Sequence, residues 1–348
     1  MNKILTVAAL LFVLCIKTTF AGWDFVWSDE FDYKGLPDDA KWGYDVGGHG
    51  WGNQELQYYT EKRLENARVD DSVLIITAIK EPYEGMNYTS ARLITRNKAD
   101  WLYGRVEVAA KLPQGTGVWP AIWMLPTDWE YGQWPASGEL DIMENVGFDP
   151  YRVHFNIHTE AYNHSIGTNK GNSTTLDDPH TTFNVYALEW FEDHIDFFAN
   201  DDTIFTFENE NNTFREWPFD KRFHLLLNIA VGGSWGGQQG VDDAIFPQEF
   251  IIDYVRVYQY NDVPVIADSA HKPGNFSCIR TNRELTVYSI RKSVTIEMYT
   301  LDGKTLWNRN LPVYNNHAGC RLPKISGSCI VRIKNGTDTA IKRIVFVP

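Results

Sequence analysis

Hydrophobic and polar residues alternate along most of the first 260 residues with a period of two, which is typical of β-strands and not of helices. The clearest hydrophobic runs are residues 73–78, 104–110, 185–190, 194–198, 223–228 and 253–258. Segments rich in Asn, Asp and Gly separate these runs, and no long stretch has helical periodicity. Many short strands at near-regular spacing predict an all-β fold, a β-jelly-roll sandwich of two antiparallel sheets.

A second group of alternating runs lies near the C-terminus. Residues 293–304 alternate and end in Asp302-Gly303, a dipeptide typical of hairpin turns. Residues 329–336 have the pattern of another hairpin, and residues 342–347 that of a terminal strand. These runs predict a small, separate C-terminal β-sandwich.

Charge and tryptophan divide the chain at the same place. Residues 262–348 contain 13 Lys and Arg against 6 Asp and Glu, a net charge of +7, so residues 1–261 account for −20 of the total of −13. Twelve of the 13 tryptophans precede residue 262, and only Trp307 follows it. This asymmetry predicts two domains with different partners, and the acidic first domain argues against nucleic acid as a partner.

The N-terminus has the pattern of a secretory signal peptide. Asn2-Lys3 gives a positive start, residues 4–16 form an apolar core too short to span a bilayer, and Thr19-Phe20-Ala21 resembles a cleavage site. We therefore predict an exported protein, secreted or on the cell surface, with no membrane span. The predicted organisation is a signal peptide over 1–21, a catalytic domain over 22–260, a linker over 261–275 and a C-terminal domain over 276–348.

Three cysteines remain after the signal peptide: Cys278, Cys320 and Cys329. In an oxidising compartment one pair of them can form a disulfide, and the sequence leaves open which pair. Their wide spacing argues against metal binding.

Three acidic residues lie close together in the segment 138–145, G-E-L-D-I-M-E-N. In a strand, Glu139 and Asp141 share one face. Glu144 has the opposite parity, and only a β-bulge around Ile142-Met143 would bring it to the same face. Like charges this close together destabilise a fold, which indicates that they have a function. A solvated acidic edge strand is the alternative interpretation.

Tryptophans surround this acidic segment. Trp119, Trp123 and Trp134 shortly precede it, and Trp51 and Trp235 lie in glycine-rich stretches elsewhere. Tryptophan is usually a core residue, but glycine neighbours favour a surface turn with an exposed ring. An exposed ring beside carboxylates suits a sugar, whose C–H face stacks on the aromatic ring while its hydroxyls bind polar groups.

Two carboxylates that flank a glycosidic bond can act as nucleophile and as general acid/base. A separation of about 5–5.5 Å gives retention of configuration, and about 6.5–9.5 Å gives inversion. The bulged arrangement of Glu139 and Glu144 is compatible with retention. Asp141, between them, is expected to hydrogen-bond Glu139 and to influence the charge state of the pair.

The segment 137–147, S-G-E-L-D-I-M-E-N-V-G, resembles the bulged E-x-D-x-x-E active-site signature of glycoside hydrolase family 16. The resemblance covers nearly all of residues 23–260. Other matching segments are 28–31, 51–60, 103–107, 117–126 and 228–235. Within the family the chain is most similar to the laminarinases, retaining endo-β-1,3-glucanases on a concanavalin A-like jelly roll. The lichenase branch typically lacks the extra residue at Met143.

The resemblance implies a role for each matching residue. Glu139 would be the nucleophile, Glu144 the acid/base and Asp141 the acid between them. The implied substrate-binding residues are Asn53, Arg92, Trp119, Trp123, Trp134, His158 and Trp235. For His158 a purely structural role is the alternative. The resemblance implies no cofactor for catalysis. It does imply a structural calcium ion at Asp253, with Glu30 and the backbone at Asp71.

The implied substrate is β-1,3-glucan of the laminarin type, with some action on mixed β-1,3/1,4-glucan by a monomeric enzyme. Another β-linked polysaccharide stays an alternative, as does a recognition protein that binds β-glucan without hydrolysis. Such binders tend to lack the two glutamates that this chain has. The C-terminal domain resembles the sorting domain of the type IX secretion machinery, and a carbohydrate-binding module is its alternative.

Overall fold

The computed structural model describes residues 22–261 and, further on, residues 276–281, 284–289, 293–300, 304–313, 317–321, 327–335 and 338–346. The predicted signal peptide and nearly all of the predicted linker lie outside the described residues. Two compact units are distinguished, Trp23–Tyr260 and a unit that includes Asn261–Pro348. No helix in the described part of the chain is long and apolar enough to cross a membrane.

The described part is built almost entirely of strands. In the first unit they are β1 Gly22–Asp29, β2 Gly43–Tyr44, β3 Gln57–Tyr59, β4 Ala67–Asp70, β5 Val73–Tyr83, β6 Met86–Ser90, β7 Arg92–Ile94, β8 Gly104–Lys111, β9 Val118–Pro126, β10 Glu139–Asn145, β11 Arg152–His158, β12 Lys170–Thr175, β13 Asn184–Trp190, β14 His194–Ala199, β15 Asp202–Glu208, β16 Phe223–Val231 and β17 Gln248–Asn261. Two short 3-10 helices cover His164–Ile166 and Asp243–Ile245. Each of the six predicted runs lies within one of these strands.

Two large sheets form the first unit. One has the order β15-β14-β13-β8-β17-β5-β6-β3, with β1 paired to β17 and β4 paired to β5. The other has the order β12-β11-β10-β9-β16-β7-β2. All neighbouring strands of the seven-stranded sheet are antiparallel, and in the other sheet β3 and β6 are parallel. This arrangement confirms the predicted jelly-roll sandwich.

The core lies between the two sheets because alternate residues of each strand point inward. Val106 and Val108 of β8 meet Leu225 and Leu227 of β16 in one continuous cluster of buried residues. The other face of the seven-stranded sheet carries the polar residues of β10 and β11. The packed core thus supplies a rigid support beneath that face.

The C-terminal unit contains the remaining strands, β18 Phe276–Thr281, β19 Glu284–Ser289, β20 Ser293–Tyr299, β21 Thr305–Pro312, β22 His317–Arg321, β23 Gly327–Asn335 and β24 Asp338–Phe346. They form two sheets, of orders β18-β19-β22 and β21-β20-β23-β24. Val294, Ile296, Met298 and Val331 are buried. The predicted disulfide concerns cysteine side chains that lie outside the described residues, as does the Asp302-Gly303 turn.

Candidate active site

A β-bulge in β10 brings the three acidic residues to one face. Against β11, Asp141 pairs with Asn156 and Glu144 with His154, so three steps along β10 match two along β11. The pairing of β10 with β9 shifts at the same place, between Asp141 and Met143. The predicted bulge is confirmed.

The bulge is stabilised by its hydrophobic residues. Ile142 and Met143 are consecutive, and both side chains are fully buried. Simple alternation would point only one of these two side chains into the core. Because both point inward, every later residue of the strand faces the opposite side from the one that alternation predicts. Glu144 therefore returns to the face of Glu139 and Asp141.

These carboxylates line a cleft of about 450 Å³ on the open face of the seven-stranded sheet. Eight residues singled out from the sequence line it: Asn53, Arg92, Trp119, Trp123, Trp134, Glu139, Asp141 and Glu144. They come from segments far apart in the chain, and the sheet brings them together.

Glu144 is held by two donors. Trp119 Nε1 donates a hydrogen bond of 3.1 Å to Glu144 Oε1, and Asn156 Nδ2 donates one of 3.3 Å to Glu144 Oε2. The residue Glu144 is 9% exposed, so few water molecules compete with these donors for its carboxylate. Its orientation is fixed from both sides.

His158 lies next to the other two acids instead of lining the cleft. Its Nε2 atom is 3.3 Å from Asp141 Oδ2 and 3.7 Å from Glu139 Oε1. The residue is 5% exposed, and its ring is 6.0 Å from that of Trp134 and 5.1 Å from that of His164. His158 is thus placed to act on the carboxyl groups more directly than on a sugar.

Burial raises the pKa of Glu139, Asp141 and Glu144 above their usual values. The charge of Asp141 raises the pKa of both glutamates further, while His158 acts in the opposite direction. For Glu144, the hydrogen bonds from Trp119 and Asn156 also lower the pKa. Near neutral pH the three groups therefore share at least one proton.

Arg92 and Trp123 form one wall of the cleft. The Arg92 guanidinium lies 4.5 Å from the centre of the Trp123 ring and 4.8 Å from that of Trp51, and it is paired with Asp45 at 3.1 Å. Trp123 Nε1 donates a hydrogen bond of 2.7 Å to Asn228 Oδ1. The indole ring is fixed at its edge and Arg92 covers one of its faces, so a sugar would stack on the other face.

Trp235 does not line this cleft. It packs edge-on against Trp119, with ring centres 5.5 Å apart, and against His154 at 4.9 Å. Its place is therefore beside Trp119, whose ring it supports.

Several lining residues were not predicted as site residues: His49, Trp51, Glu55, Trp129, His164, Ser165 and Asn228. Glu55 accepts hydrogen bonds from Gln57 Nε2 at 2.7 Å and from Tyr59 OH at 3.2 Å, while Asn228 Nδ2 donates to the same Tyr59 OH. Trp51 lay in a segment already singled out for its glycines. The sequence feature that could have indicated Glu55 and Asn228 as site residues is their position as polar residues next to strand-like hydrophobic runs.

The predicted calcium residues do not form a group of side chains. Both carboxylate oxygens of Glu30 accept hydrogen bonds from Arg256, at 2.9 and 2.7 Å. Among the described residues, the one set of three or more acidic or histidine side chains close enough to hold a metal ion is Glu139, Asp141 and His158. The carboxylate of Glu30 is therefore paired with Arg256, and calcium binding at Asp253 stays a prediction.

Comparison with known proteins gives consistent results. The model of the family described as "Glycosyl hydrolases family 16" matches residues 52–256. A β-glucanase of Rhodothermus marinus is 60% identical over 245 residues, covering 68% of this chain and 86% of the relative.

Solved structures agree. The X-ray structure of the laminarinase from Rhodothermus marinus has a TM-score of 0.69 and 58% identity, covering 70% of this chain and all of that one. A non-specific endo-β-1,3(4)-glucanase called SCLam has a TM-score of 0.66 and 46% identity, covering 70% of this chain and 94% of that one.

Proposed function

Because this chain belongs to glycoside hydrolase family 16, and so is a glycoside hydrolase, we propose that it hydrolyses internal β-1,3-glucosidic bonds with retention of configuration. The observation that carries the proposal is the bulge at Ile142-Met143, which places Glu139 and Glu144 on one face of the cleft with Asp141 between them. The β-glucanase and laminarinase activities of its relatives support β-glucan as the substrate.

The reaction proceeds in two displacements. In the first, a Glu139 oxygen attacks the anomeric carbon while the bond to the leaving oxygen breaks, and the proton of Glu144 passes to that oxygen. The product is a glycosyl ester on Glu139. In the second, Glu144 takes a proton from water, and the water oxygen attacks the anomeric carbon and releases Glu139.

The surroundings of the two glutamates suit these roles. The raised pKa of Glu144 keeps a proton available near neutral pH, as a general acid requires. Asp141 lies within hydrogen-bonding reach of Glu139, and His158 Nε2 is 3.7 Å from Glu139 Oε1. Stacking on Trp123 and hydrogen bonds to Arg92 would orient the sugar for attack.

The substrate is a neutral, curved polysaccharide. A β-1,3-glucan chain curves, so the walls formed by Trp119, Trp123 and Trp134 can follow it, whereas a flat β-1,4 ribbon fits poorly. Sulfated galactans are disfavoured because the cleft is lined by Glu139, Asp141 and Glu144 in a domain of strongly negative charge. Weaker action on mixed β-1,3/1,4-glucan is expected, by analogy with the relative named for both linkages.

We further propose export through the signal peptide and, for the C-terminal β-sandwich, a sorting role with type IX secretion machinery. The enzyme acts outside the cell as a monomer and needs no cofactor for catalysis. Calcium at Asp253 stays a prediction, although the side chain of Glu30 is paired with Arg256. Chelation should lower the melting temperature of the wild type but leave that of Asp253→Ala unchanged.

The decisive experiment compares the wild type with Glu139→Gln and Glu144→Gln on laminarin. Reducing ends and viscosity are followed together, and NMR records the anomer that forms first. Early loss of viscosity with a β-anomer product, absent in both variants, supports the proposal. An α-anomer, release of glucose alone, equal activity in the variants, or faster turnover of agarose than of laminarin would contradict it.

A further inference from the structure

Asn156 connects the acid/base Glu144 to a residue outside the cleft. Its Nδ2 atom donates to Glu144 Oε2 at 3.3 Å, and its Oδ1 atom accepts from Asn169 Nδ2 at 3.1 Å. The two ends of the amide therefore have different partners. Asn169 lies immediately before β12, which begins at Lys170.

The space around the Asn156 amide is made by a glycine. Asn156 is opposite Gly171 in the pairing of β11 with β12. A Cβ atom on Gly171 would overlap both Asn156 Oδ1 and the carbonyl oxygen of Phe155. The absent side chain leaves the amide oxygen free to meet Asn169.

The direction of an amide matters to a neighbouring carboxyl group. An N–H pointing at Glu144 favours the ionised carboxylate, and a carbonyl oxygen pointing at it favours the protonated acid. Asn169 donates to Asn156 Oδ1, so it holds Asn156 with its N–H toward Glu144. Glu144 must be an acid in the first displacement and a base in the second, and the balance between the two forms decides the working pH range.

We propose that Asn169, acting through Asn156, is a positioning residue that fixes which end of the Asn156 amide meets Glu144 and thereby sets the upper pH limit of hydrolysis. The inference rests on the acid/base role proposed for Glu144. It assigns the segment before β12 a part in tuning the reaction, without contact between Asn169 and the sugar.

The sharpest variant is Asn169→Asp, which has the same shape but whose ionised carboxylate can only accept hydrogen bonds. To pair with it, Asn156 must reverse and turn its carbonyl oxygen toward Glu144. The alkaline limb of the kcat/KM profile on laminarin should then move up by about 0.5–1 pH unit, the size expected for one hydrogen bond to a carboxylate. Asn156→Ala, which removes the donor, should move the limb in the same direction.

The new charge at position 169 must be separated from the reversal of the amide. Asn172→Asp is the matched control. Asn172 is an exposed residue of β12, three positions after Asn169, and its side chain donates to the carbonyl oxygen of Ile204 instead of contacting Asn156. It should leave the limb in place. The profiles are repeated at high salt, which screens a surface charge but not a contact between adjacent groups.

The outcomes separate the two proposals. A limb that moves in Asn169→Asp and Asn156→Ala at both salt concentrations, and stays in Asn172→Asp, supports the positioning role. Unmoved limbs in folded Asn169→Asp and Asn156→Ala, with Glu144→Gln inactive, would overturn the inference but leave the function intact. An active Glu144→Gln would overturn the function itself. Thermal unfolding within a few degrees of the wild type establishes that each variant is folded.

Discussion

The buried acids should make the enzyme less stable as the pH rises, and Glu139→Gln should reverse part of that loss. The pKa of Glu139 is raised in the folded state, so the folded protein holds the proton more tightly than the unfolded chain does. Stability contributed by that proton is complete below the unfolded pKa and disappears as the pH rises through the folded pKa. Removing the titrating group removes this dependence.

The magnitude follows from the geometry. Ligand atoms of Glu139, Asp141 and His158 lie within 4.8 Å of one another. Two unit charges at that distance repel by about 3.5 kcal/mol at an effective dielectric constant of about 20. Solvent in the open cleft screens part of this repulsion, so we expect Glu139→Gln to gain about 2 kcal/mol in the free energy of unfolding at pH 8 and almost nothing at pH 4.5. For a unit of this size that gain corresponds to about 4–8 °C in melting temperature.

The assay is thermal unfolding of the full chain, followed by tryptophan fluorescence at pH 4.5, 6.5 and 8. Twelve of the 13 tryptophans precede residue 262, so the signal reports mainly on the catalytic unit. Glu81→Gln is the control of opposite sign. Arg63 holds the pKa of Glu81 below its usual value, so this variant should lose stability equally at pH 6.5 and pH 8, and an additional measurement at pH 3 should show the loss shrinking as the pH falls through that lowered pKa.

An equal change in stability for Glu139→Gln at pH 4.5 and at pH 8 would refute the electrostatic reasoning. A lower melting temperature at pH 8 would refute it more strongly, because it would mean that the ionised Glu139 stabilises the fold.

Three further predictions concern the cleft. Deleting Met143 should restore simple alternation in β10 and turn Glu144 away from the cleft, so laminarin hydrolysis should fall at least about 10³-fold while circular dichroism still shows β-structure; substantial activity would mean that the bulge is dispensable. Trp123→Phe removes the donor to Asn228 Oδ1 and should raise KM several-fold with a smaller effect on kcat, measured by steady-state kinetics on laminarin, whereas an unchanged KM would exclude this ring from substrate binding. Trp119→Phe removes one of the two donors to Glu144, so the alkaline limb of the kcat/KM profile should move up, and a downward movement would contradict the assignment.

Local pattern was enough to predict the fold and the catalytic strand. The bulge was predictable because Glu144 had the wrong parity for a face shared with Glu139, and a single inserted residue was the simplest repair. The runs of Val, Ile and Leu identified β5, β8 and β16 because strand alternation is a property of neighbouring residues.

Residues whose role depends on distant contacts were not predictable in the same way. Glu55 forms an isolated bridge to Gly232 and accepts a hydrogen bond from Tyr59; it lies two positions from the predicted Asn53, but these distant contacts could not be predicted from the sequence. The proximity of His158 to Asp141 and Glu139 was not predicted either, because strand alternation indicates which face a residue is on but not how deeply it is buried. The pairing of the Glu30 carboxylate with Arg256 was not predictable either, because the two residues are 226 positions apart.

The position of β17 has a consequence for the export proposed above. This last strand of the catalytic unit, Gln248–Asn261, lies inside its sheet between β8 and β5, and also pairs with β1. A chain that has emerged only as far as residue 247 therefore has two unfilled strand edges at the middle of the sheet, and its first strand has no neighbour to pair with. The catalytic unit cannot complete its fold until β17 has been synthesised. Until then the polypeptide would remain unfolded and able to pass through a translocation channel.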